Sequence, residues 1–231
     1  MKAILLAAGF GKRLGKLTDQ IPKPLVEVKG KPVIEYLIRK LIKLDVTHIY
    51  INTHYKHSLI NDFIEKSKYE VPISLIYEKV LLGTAGTLKH LLNKVSQDDF
   101  IVMHADNYFE DNLENLKVKH IKSGEDILVT MGTFKVSNSA EFGTVELSDN
   151  GTVINFFEKS KSSRSHIANS AVYIIKPAAK KIIESLSPTE NDISLNLIPK
   201  LLGKIKAEPL SGYFYDIGTP EILKLANDQL V

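Results

Sequence analysis

The sequence predicts an α/β fold in which helices cover both faces of a mixed, mainly parallel sheet. Short apolar segments alternate with amphipathic segments through the first half of the chain. A glycine-rich, positively charged turn directly follows the first apolar segment. Strands that alternate with helices favour parallel pairing, with the helices packed on both faces of the sheet. These observations together predict a Rossmann-like, three-layer αβα domain.

The elements of the first half are predicted from the spacing of apolar residues. The segment Pro32–Asp45 begins with a proline suited to a first helical turn and carries Leu37 and Leu41 on one face. The segment Thr47–Asn52 alternates and is rich in β-forming residues, as expected for a strand. The predicted strands are Ala3–Ala7, Thr47–Asn52, Ile73–Tyr77 and Phe100–His104, and the predicted helices are Pro32–Asp45, Leu59–Lys66 and Thr84–Val95.

The second half contains more consecutive strands. Asn150 and Gly151 form the centre of a hairpin turn signal. The polar segment Lys159–Arg164 is predicted to be a mobile loop. The predicted strands are Ile127–Phe134, Gly143–Leu147, Thr152–Glu158 and Ile167–Ile175, and the predicted helices are Ala178–Leu186, Ile193–Leu202 and Pro220–Leu230.

Composition limits the class of protein. The 231 residues include no cysteine, which excludes disulfides, thiolate metal sites and a cysteine nucleophile. The histidines show no tight metal spacing, so residues such as His120 are predicted to lie on the surface or to pack. The net charge of +3 is too small to indicate a nucleic-acid or membrane partner. The apolar residues after Lys2 resemble a minimal signal peptide, but Lys12 and Arg13 interrupt them, so a buried first strand is predicted. We therefore expect a cytoplasmic protein.

The segment LLAAGFGKRLGKLTDQIPKPL, residues 5–25, has the character of a phosphate-binding loop. It lacks the Walker A pattern, because Arg13 stands where serine or threonine is required, and the dinucleotide pattern, because Leu14 stands where the third glycine is required. The small residues let backbone N–H groups approach phosphate oxygens. Arg13 offers a planar fork for a triphosphate, and Lys23 is held between two prolines that limit its backbone freedom. An ordinary turn with solvated lysines is the alternative at this point.

This segment resembles the signature of the sugar-1-phosphate nucleotidylyltransferases, or NDP-sugar pyrophosphorylases, in a short single-domain form. The family pattern is L-A-G-G-x-G-T-R-L-x-P-L-T-x-x-x-P-K, and LAAGFGKRL…PKPL is similar to it. The chain departs from the pattern with Ala8 for glycine, Lys12 for threonine and Lys16 for proline. Lys12 adds a positive charge, and Lys16 leaves the loop freer than a proline would.

Further segments that resemble the family follow in the family's order over residues 3–221. Leu82–Gly86 resembles the P-L-G-T-A-G segment that contacts the nucleobase, and its glycines at a helix start are expected to offer free N–H groups to a ligand. The alternative for this segment is an ordinary helix N-cap at Thr84. Asp106 ends a buried strand, where open α/β sheets bind ligands. The other similar segments are His104–Asn107, Glu141–Val145, Phe157–Lys159, Asn169–Tyr173 and Phe214–Glu221.

The resemblance implies roles for individual residues. The residues implied to be catalytic are Arg13, Lys23, Asp106, Lys159 and Asp216. Asp106 and Asp216 are also implied to hold Mg²⁺, since two carboxylates with phosphate oxygens suit this ion. The residues implied to bind the nucleotide are Leu6, Ala8, Gly9, Gly11, Arg13, Lys23, Glu78, Gly83, Thr84 and Asp106. Those implied to bind the acceptor are Asn107, Gly143, Glu158, Lys159 and Asn169.

The resemblance implies a reaction in which an NTP and a sugar 1-phosphate give an NDP-sugar, a precursor of cell-surface polysaccharides, and pyrophosphate. We expect one domain over residues 1–231, with NTP binding in about 1–110 and acceptor binding in about 111–231. We also expect a monomer or a small homo-oligomer. One alternative is a cytidylyltransferase for phosphocholine, whose cation would need aromatic or acidic side chains around it. The other is a catalytically silent regulatory or binding subunit of the same fold.

Overall fold

The computed structural model describes residues 1–229, which form two compact units of discontinuous segments. Unit 1 consists of Met1–Leu81, Met103–Asn112 and the described part of Gly212–Val231. Unit 2 consists of Leu82–Val102 and Leu113–Ser211. The expectation of one domain with two halves that meet near residue 110 stays a prediction.

The described residues form thirteen strands and six α-helices. In chain order the strands are β1 (Lys2–Leu6), β2 (Glu27–Val28), β3 (Lys31–Pro32), β4 (His48–Thr53), β5 (Ile73–Tyr77), β6 (Phe100–His104), β7 (Asn107–Phe109), β8 (Val129–Lys135), β9 (Gly143–Leu147), β10 (Val153–Glu158), β11 (Ile167–Ile175), β12 (Ile205–Pro209) and β13 (Phe214–Asp216). The α-helices are α1 (Val33–Lys43), α2 (His57–Ser67), α3 (Thr84–Val95), α4 (Glu114–Lys122), α5 (Lys180–Glu184) and α6 (Pro220–Gln229).

Unit 1 is built on parallel strands. β4 pairs in parallel with β1 and with β5, and Leu6 of β1 lies beside Asn52 of β4. Ala3 to Leu6 of β1 are buried, as expected for a strand that is covered on both faces. The apolar face of α1, which includes Leu37 and Leu41, is also buried. Because these strands run parallel, the segments that follow β1, β4 and β5 leave from the same edge of the sheet.

A two-stranded antiparallel ribbon joins distant segments of unit 1. β7 and β13 pair so that Asn107 lies opposite Asp216. The backbone N–H of Ile217 donates a 3.1 Å hydrogen bond to the carbonyl oxygen of Asp106. The ribbon therefore brings Asp106 close to Asp216, although the two residues are far apart in the sequence.

Unit 2 is built mainly on antiparallel strands. β9 pairs antiparallel with β10 and with β11, β11 pairs antiparallel with β8, and β8 pairs in parallel with β12. The pairing of β11 with β8 is irregular between Asn169 and Tyr173, where Ala171 has a φ of 55°. Residues other than glycine rarely adopt this conformation, so the irregularity is a fixed feature of the strand that a local interaction must stabilise.

The predicted α/β class, with a mixed, mainly parallel sheet and flanking helices, is confirmed. Most predicted elements are found within one or two residues of their expected bounds, and five agree at both ends. These five are Ile73–Tyr77, Thr84–Val95, Phe100–His104, Gly143–Leu147 and Ile167–Ile175. The last predicted helix begins at Pro220 as expected, while its expected end at Leu230 lies outside the described residues.

Two predicted helices differ from the structure. The α-helix expected over Ile193–Leu202 is wrong, because a π turn at Ile193–Leu197 leads into a 3₁₀ turn at Ile198–Leu201. Pro199 lies in the second turn and has no N–H with which to continue an α-helical ladder. The helix expected over Ala178–Leu186 is shorter, since its first turn is 3₁₀ and α5 spans only Lys180–Glu184. The sequence reasoning also missed α4, β2, β3, β7, β12 and β13.

Candidate active site

Asn52 connects the ends of three neighbouring strands in unit 1. Its side-chain oxygen accepts a 2.7 Å hydrogen bond from the backbone N–H of Ala7, directly after β1. Its amide donates a 2.9 Å hydrogen bond to Oε1 of Glu78, directly after β5. Asn52 and Glu78 are both buried. The sequence reasoning did not single out Asn52, although a polar residue near the carboxyl end of a buried strand beside β1 was a usable signal.

The glycine-rich loop is held by close packing and by Thr18. Gly11 has a φ of +66°, and a Cβ there would lie 2.9 Å from Cγ2 of Thr18 and 3.0 Å from Cβ of Lys23. The Thr18 hydroxyl donates to the carbonyl oxygens of Gly11 and Gly15, at 3.1 Å each. Glycine at position 11 therefore serves the packing of the loop, while Gly9 is exposed with open space around it.

Lys23 lies between two carboxylates. Its ammonium is 2.6 Å from Oδ2 of Asp106 and 3.1 Å from Oδ1 of Asp216. The Lys23 side chain is only 8% exposed, whereas the Asp106 and Asp216 side chains are 32% and 36% exposed. A short 3₁₀ turn over Lys23–Leu25, preceded by Pro22, holds the lysine backbone in place. The structure thus brings together three of the residues that were implied to be catalytic.

Arg13 approaches one of these carboxylates, that of Asp216. Its Nη2 lies 3.6 Å from Oδ2 of Asp216, and its side chain is 64% exposed. A Cβ at position 218 would lie 2.9 Å from Nη2 of Arg13, so the glycine there leaves room for the guanidinium. The Arg13 donors remain accessible to an anion that binds at the loop.

The charges in this cluster stabilise one another. Burial lowers the pKa of Lys23, but the carboxylates of Asp106 and Asp216 outweigh it, so the net pKa is raised. Burial raises the pKa of Asp106, the nearby Lys23 ammonium lowers it, and the net pKa is lowered. Lysine and aspartate are therefore both held in their charged forms.

The start of α3 in unit 2 differs from the expectation of free N–H groups. The N–H groups of Ala85 and Gly86 both donate to the carbonyl oxygen of Asn191, at 2.9 and 3.4 Å. The Thr84 hydroxyl accepts a 2.8 Å hydrogen bond from the N–H of Ile193. Gly83 has a φ of +77°, and a Cβ there would overlap the carbonyl oxygen of Asn191. The chain itself therefore caps this helix, through a segment that no sequence pattern indicated.

Three of the implied acceptor residues lie together in unit 2. A Cβ at Gly143 would lie 2.7 Å from Oε2 of Glu158 and 2.8 Å from Cζ of Phe156. The Lys159 ammonium lies 3.9 Å from Oε1 of Glu158, and its side chain is 62% exposed. Burial raises the pKa of Glu158, the charge of Lys159 lowers it and that of Asp192 raises it again, with a net increase.

The Asn169 side chain forms two hydrogen bonds within unit 2. Its Oδ1 accepts a 2.9 Å hydrogen bond from the N–H of Ala171, and its Nδ2 donates a 2.7 Å hydrogen bond to the Tyr173 hydroxyl. These bonds account for the unusual backbone of Ala171. Asn107, the remaining implied acceptor residue, is buried in unit 1 opposite Asp216.

The structure provides a partial set of metal ligands. Within residues 1–229, no group of three or more histidine, aspartate or glutamate side chains could hold a metal ion by itself. Asp106 and Asp216 offer two adjacent carboxylates that are open on one side, and Mg²⁺ is commonly held by one or two carboxylates together with substrate phosphates. The donor set therefore fits Mg²⁺ only with a phosphate ligand. None of the helices in residues 1–229 is long and apolar enough to cross a membrane.

A parallel sheet edge with a glycine-rich loop, two cations and two carboxylates defines an α/β protein whose site is suited to phosphate groups. The chain belongs to the family described as Nucleotidyl transferase, whose model matches residues 2–231. The resemblance inferred from the motifs is thereby confirmed.

Three relatives illustrate the family. The chain is 34% identical to "Bifunctional protein GlmU" of Methanococcus aeolicus over its whole length, but spans only 54% of that protein. It is 28% identical to the D-glycero-alpha-D-manno-heptose 1-phosphate guanylyltransferase of Aneurinibacillus thermoaerophilus, over 100% of this chain and 98% of the relative. The solved structure of HddC from Yersinia pseudotuberculosis complexed with GMP-PN is 30% identical, with a TM-score of 0.81 over 100% of this chain and 99% of that one.

Proposed function

We propose that the protein transfers a nucleotidyl group from an NTP to a sugar 1-phosphate, which yields an NDP-sugar and pyrophosphate. The observation that carries this proposal is the cluster of Arg13, Lys23, Asp106 and Asp216 in unit 1. It combines fixed positive charge for phosphates with two ionised carboxylates for a metal. Membership of the nucleotidyl transferase family supports the same reaction.

In the proposed reaction, a phosphate oxygen of the acceptor attacks the α-phosphorus of the NTP in line. A new P–O bond forms, the bond between the α-phosphorus and its bridging oxygen to the β-phosphate breaks, and pyrophosphate leaves with the electron pair. Such chemistry depends on positioning and charge stabilisation more than on a covalent nucleophile. Arg13 and Lys23 would stabilise the charge that develops on the pyrophosphate. Lys159 would orient the acceptor phosphate, and Glu158 would bind sugar hydroxyls.

Asp106 and Asp216 are the residues that would hold Mg²⁺. When bound, the ion would supply positive charge next to the phosphates. The loop that contains Gly9 and Gly11 would bind the triphosphate through its backbone, while Leu6, Ala8 and Glu78 would line the nucleotide site beside it. Gly83 and Thr84 would lie at the nucleobase, and Gly143, Asn107 and Asn169 would shape the acceptor site.

A sugar acceptor is favoured over phosphocholine because Gly143, Glu158 and Asn169 match the sugar-side segments of the family pattern, and Glu158 lies against Gly143. A half-buried carboxyl group there is suited to hydrogen bonds with hydroxyl groups. One relative acts on a heptose 1-phosphate and is a guanylyltransferase, and another is a complex with GMP-PN, so GTP is the first nucleotide to test. The cytoplasm, which supplies NTPs, is the proposed location, and a monomer or small homo-oligomer is the proposed assembly.

A pyrophosphate-release assay with the four NTPs and a panel of sugar 1-phosphates tests the function. We expect release with at least one pair and in the presence of Mg²⁺. Release with CTP and phosphocholine alone would replace the sugar acceptor with phosphocholine. An absence of release with every pair would instead favour the silent subunit.

Arg13→Ala tests the site within the same assay. The substitution should lower the turnover rate by about 10²–10³-fold, as removal of a single transition-state donor does in other enzymes. Lys16→Ala is the control, because Lys16 is an exposed cation in the same loop without a proposed role. Wild-type turnover of Arg13→Ala at saturating NTP would overturn the role of this residue.

A further inference from the structure

The position of Lys23 has a consequence for metal binding. Its ammonium lies between Asp106 and Asp216, the two carboxylates proposed to hold Mg²⁺, and forms short contacts with one oxygen of each. A cation with almost no solvent exposure thus already occupies the space between the two ligands. Mg²⁺ requires ligand oxygens at about 2.1 Å with near-octahedral geometry, which an ammonium held between the same carboxylates obstructs.

Charge balance also argues against the binding of Mg²⁺ alone between Asp106 and Asp216. Lys23 and Arg13 together neutralise the two carboxylates in the protein without ligands. A divalent cation that entered alone would create a net positive cluster and would lie against the Lys23 ammonium, an unfavourable contact between like charges. A nucleoside triphosphate brings several negative charges, which compensate for the metal and offer new acceptors to Lys23 and Arg13.

The backbone of Lys23 is held in place, so it cannot carry the ammonium away from Asp106 and Asp216. Pro22 and Pro24 flank it, the N–H of Val26 donates a 3.0 Å hydrogen bond to the carbonyl oxygen of Lys23, and Gly11 packs against its Cβ. Release of the carboxylates must therefore come from rotation of the lysine side chain toward a better acceptor. A triphosphate bound at the glycine-rich loop would be such an acceptor.

We propose that Lys23 is a built-in counter-ion that holds Asp106 and Asp216 together in the free enzyme and prevents Mg²⁺ from binding there until a nucleoside triphosphate arrives. The proposal rests on the proposed function for the identity of the site. It makes metal binding dependent on nucleotide binding, so that the two carboxylates are never left without a cation.

The test measures binding of Mn²⁺ alone to the free protein, by electron paramagnetic resonance of unbound Mn²⁺. The wild-type protein should bind it with a dissociation constant on the order of 1 mM or weaker, because Lys23 lies between the two carboxylates and no phosphate ligands are present. Lys23→Met removes the ammonium while keeping a similar shape, and should tighten Mn²⁺ binding at least about tenfold, because a like charge beside the ion is lost. In Lys23→Met, Mn²⁺ should also raise the melting temperature, and adding Asp106→Asn should abolish both gains.

Lys16→Met is the matched control, because it removes an exposed lysine of the same loop, and its Mn²⁺ affinity should equal that of the wild type. Lys23→Arg retains the charge and should bind Mn²⁺ as weakly as the wild type. Equal or weaker Mn²⁺ binding by Lys23→Met would overturn the proposal. If Lys23→Met does not fold, the wild-type measurement decides, since micromolar affinity for Mn²⁺ alone also contradicts the proposal.

The two assays together distinguish a failure of the counter-ion role from a failure of the proposed transferase activity. Pyrophosphate release together with tight Mn²⁺ binding by the free wild-type protein would leave the reaction intact and refute the counter-ion role. The expected Mn²⁺ results without release for any substrate pair would retain the counter-ion role and refute the transferase activity.

Discussion

The side-chain amide of Asn52 donates a 2.9 Å hydrogen bond to the carboxylate of Glu78, which lies 26 positions further along the chain. The same asparagine accepts from the N–H of Ala7, so one buried side chain links the segments that follow β1 and β5. These segments carry the proposed triphosphate loop and the proposed nucleotide residue Glu78. This pair of hydrogen bonds thus holds the residues proposed to bind the nucleotide at the same edge of the sheet.

Asn52→Ala should lower the free energy of unfolding by about 1–3 kcal/mol, because buried polar groups lose their partner. It should also raise the KM for the NTP, since the start of the loop and Glu78 are no longer held together. Urea denaturation and steady-state kinetics measure the two effects. Asn61→Ala is the control, because Asn61 donates only to the exposed Glu65 on the same helix and should change stability by roughly 0.5 kcal/mol or less. Equal stability losses in the two variants would contradict the role of Asn52.

Gly143→Ala should displace Glu158, because the new Cβ would lie 2.7 Å from Oε2 of that residue. We expect the KM for the acceptor to rise about tenfold or more, in line with the effect of small displacements of substrate-positioning groups, while the KM for the NTP stays constant. Gly124→Ala is the control, since a Cβ at position 124 meets nothing within 4 Å. A change confined to the KM for the NTP would argue against an acceptor role for Gly143 and Glu158.

Gly83→Ala should strongly destabilise unit 2. The backbone there has a φ of +77°, and the added Cβ would overlap the carbonyl of Asn191 that caps α3. Backbone strain and overpacking should each lower the free energy of unfolding by about 1–3 kcal/mol. Gly203→Ala, at a φ of +79° with open space around it, should show mainly the backbone effect. Chemical denaturation of both variants measures the difference, and a smaller loss for Gly83→Ala than for Gly203→Ala would exclude the proposed overlap.

His120 should make the protein less stable in acid. Its Nδ1 lies 2.9 Å from the Thr130 hydroxyl and its Nε2 lies 3.4 Å from Oδ2 of Asp99. Burial lowers the pKa of His120, the charge of Asp99 raises it and that of Lys176 lowers it, with a net decrease. The unfolded histidine therefore binds a proton more readily than the folded one, so this contribution is complete above about pH 6.5 and is lost as the pH falls toward the lowered value.

The measurement is the free energy of unfolding between pH 7.5 and 5, in steps of about 0.5. The slope of the wild type should exceed that of His120→Gln by up to about 1.4 kcal/mol per pH unit, the limit for one proton. His166→Gln, at an exposed histidine, should keep the wild-type slope. If His120→Gln and the wild type have parallel pH profiles, the lowered pKa of His120 is refuted.

The residues of the charged cluster could be predicted one by one, but their contacts could not. Arg13 and Lys23 stand in a local pattern of glycines and prolines, and Asp106 follows a recognisable buried strand. The bridge that Lys23 makes between Asp106 and Asp216 depends on the pairing of β7 with β13, and neither strand was predicted. The three residues of β13 are too few to give a periodic signal in the sequence. Only their pairing with β7 shows that they form a strand.

The cap of α3 illustrates the opposite case, in which a local pattern led to a wrong expectation. Glycines at a helix start indicate free N–H groups when the helix is considered alone. In the folded chain, the carbonyl of Asn191 accepts from Ala85 and Gly86. The close approach of that carbonyl also explains the glycine at position 83. A hydrogen-bond partner that lies more than 100 residues further along the chain cannot be predicted from the residues at the helix start.

The sequence by itself determined the class of fold, the bounds of most strands and helices, and the identities of the charged residues, because apolar periodicity and turn chemistry act over a few neighbouring residues. Only the tertiary structure decided that Lys23 bridges two carboxylates, that Asn52 holds the segments after two strands, and that Asn191 caps α3. Each of these depends on interatomic distances of about 3 Å between segments that are remote along the chain, and such distances exist only after the strands have paired.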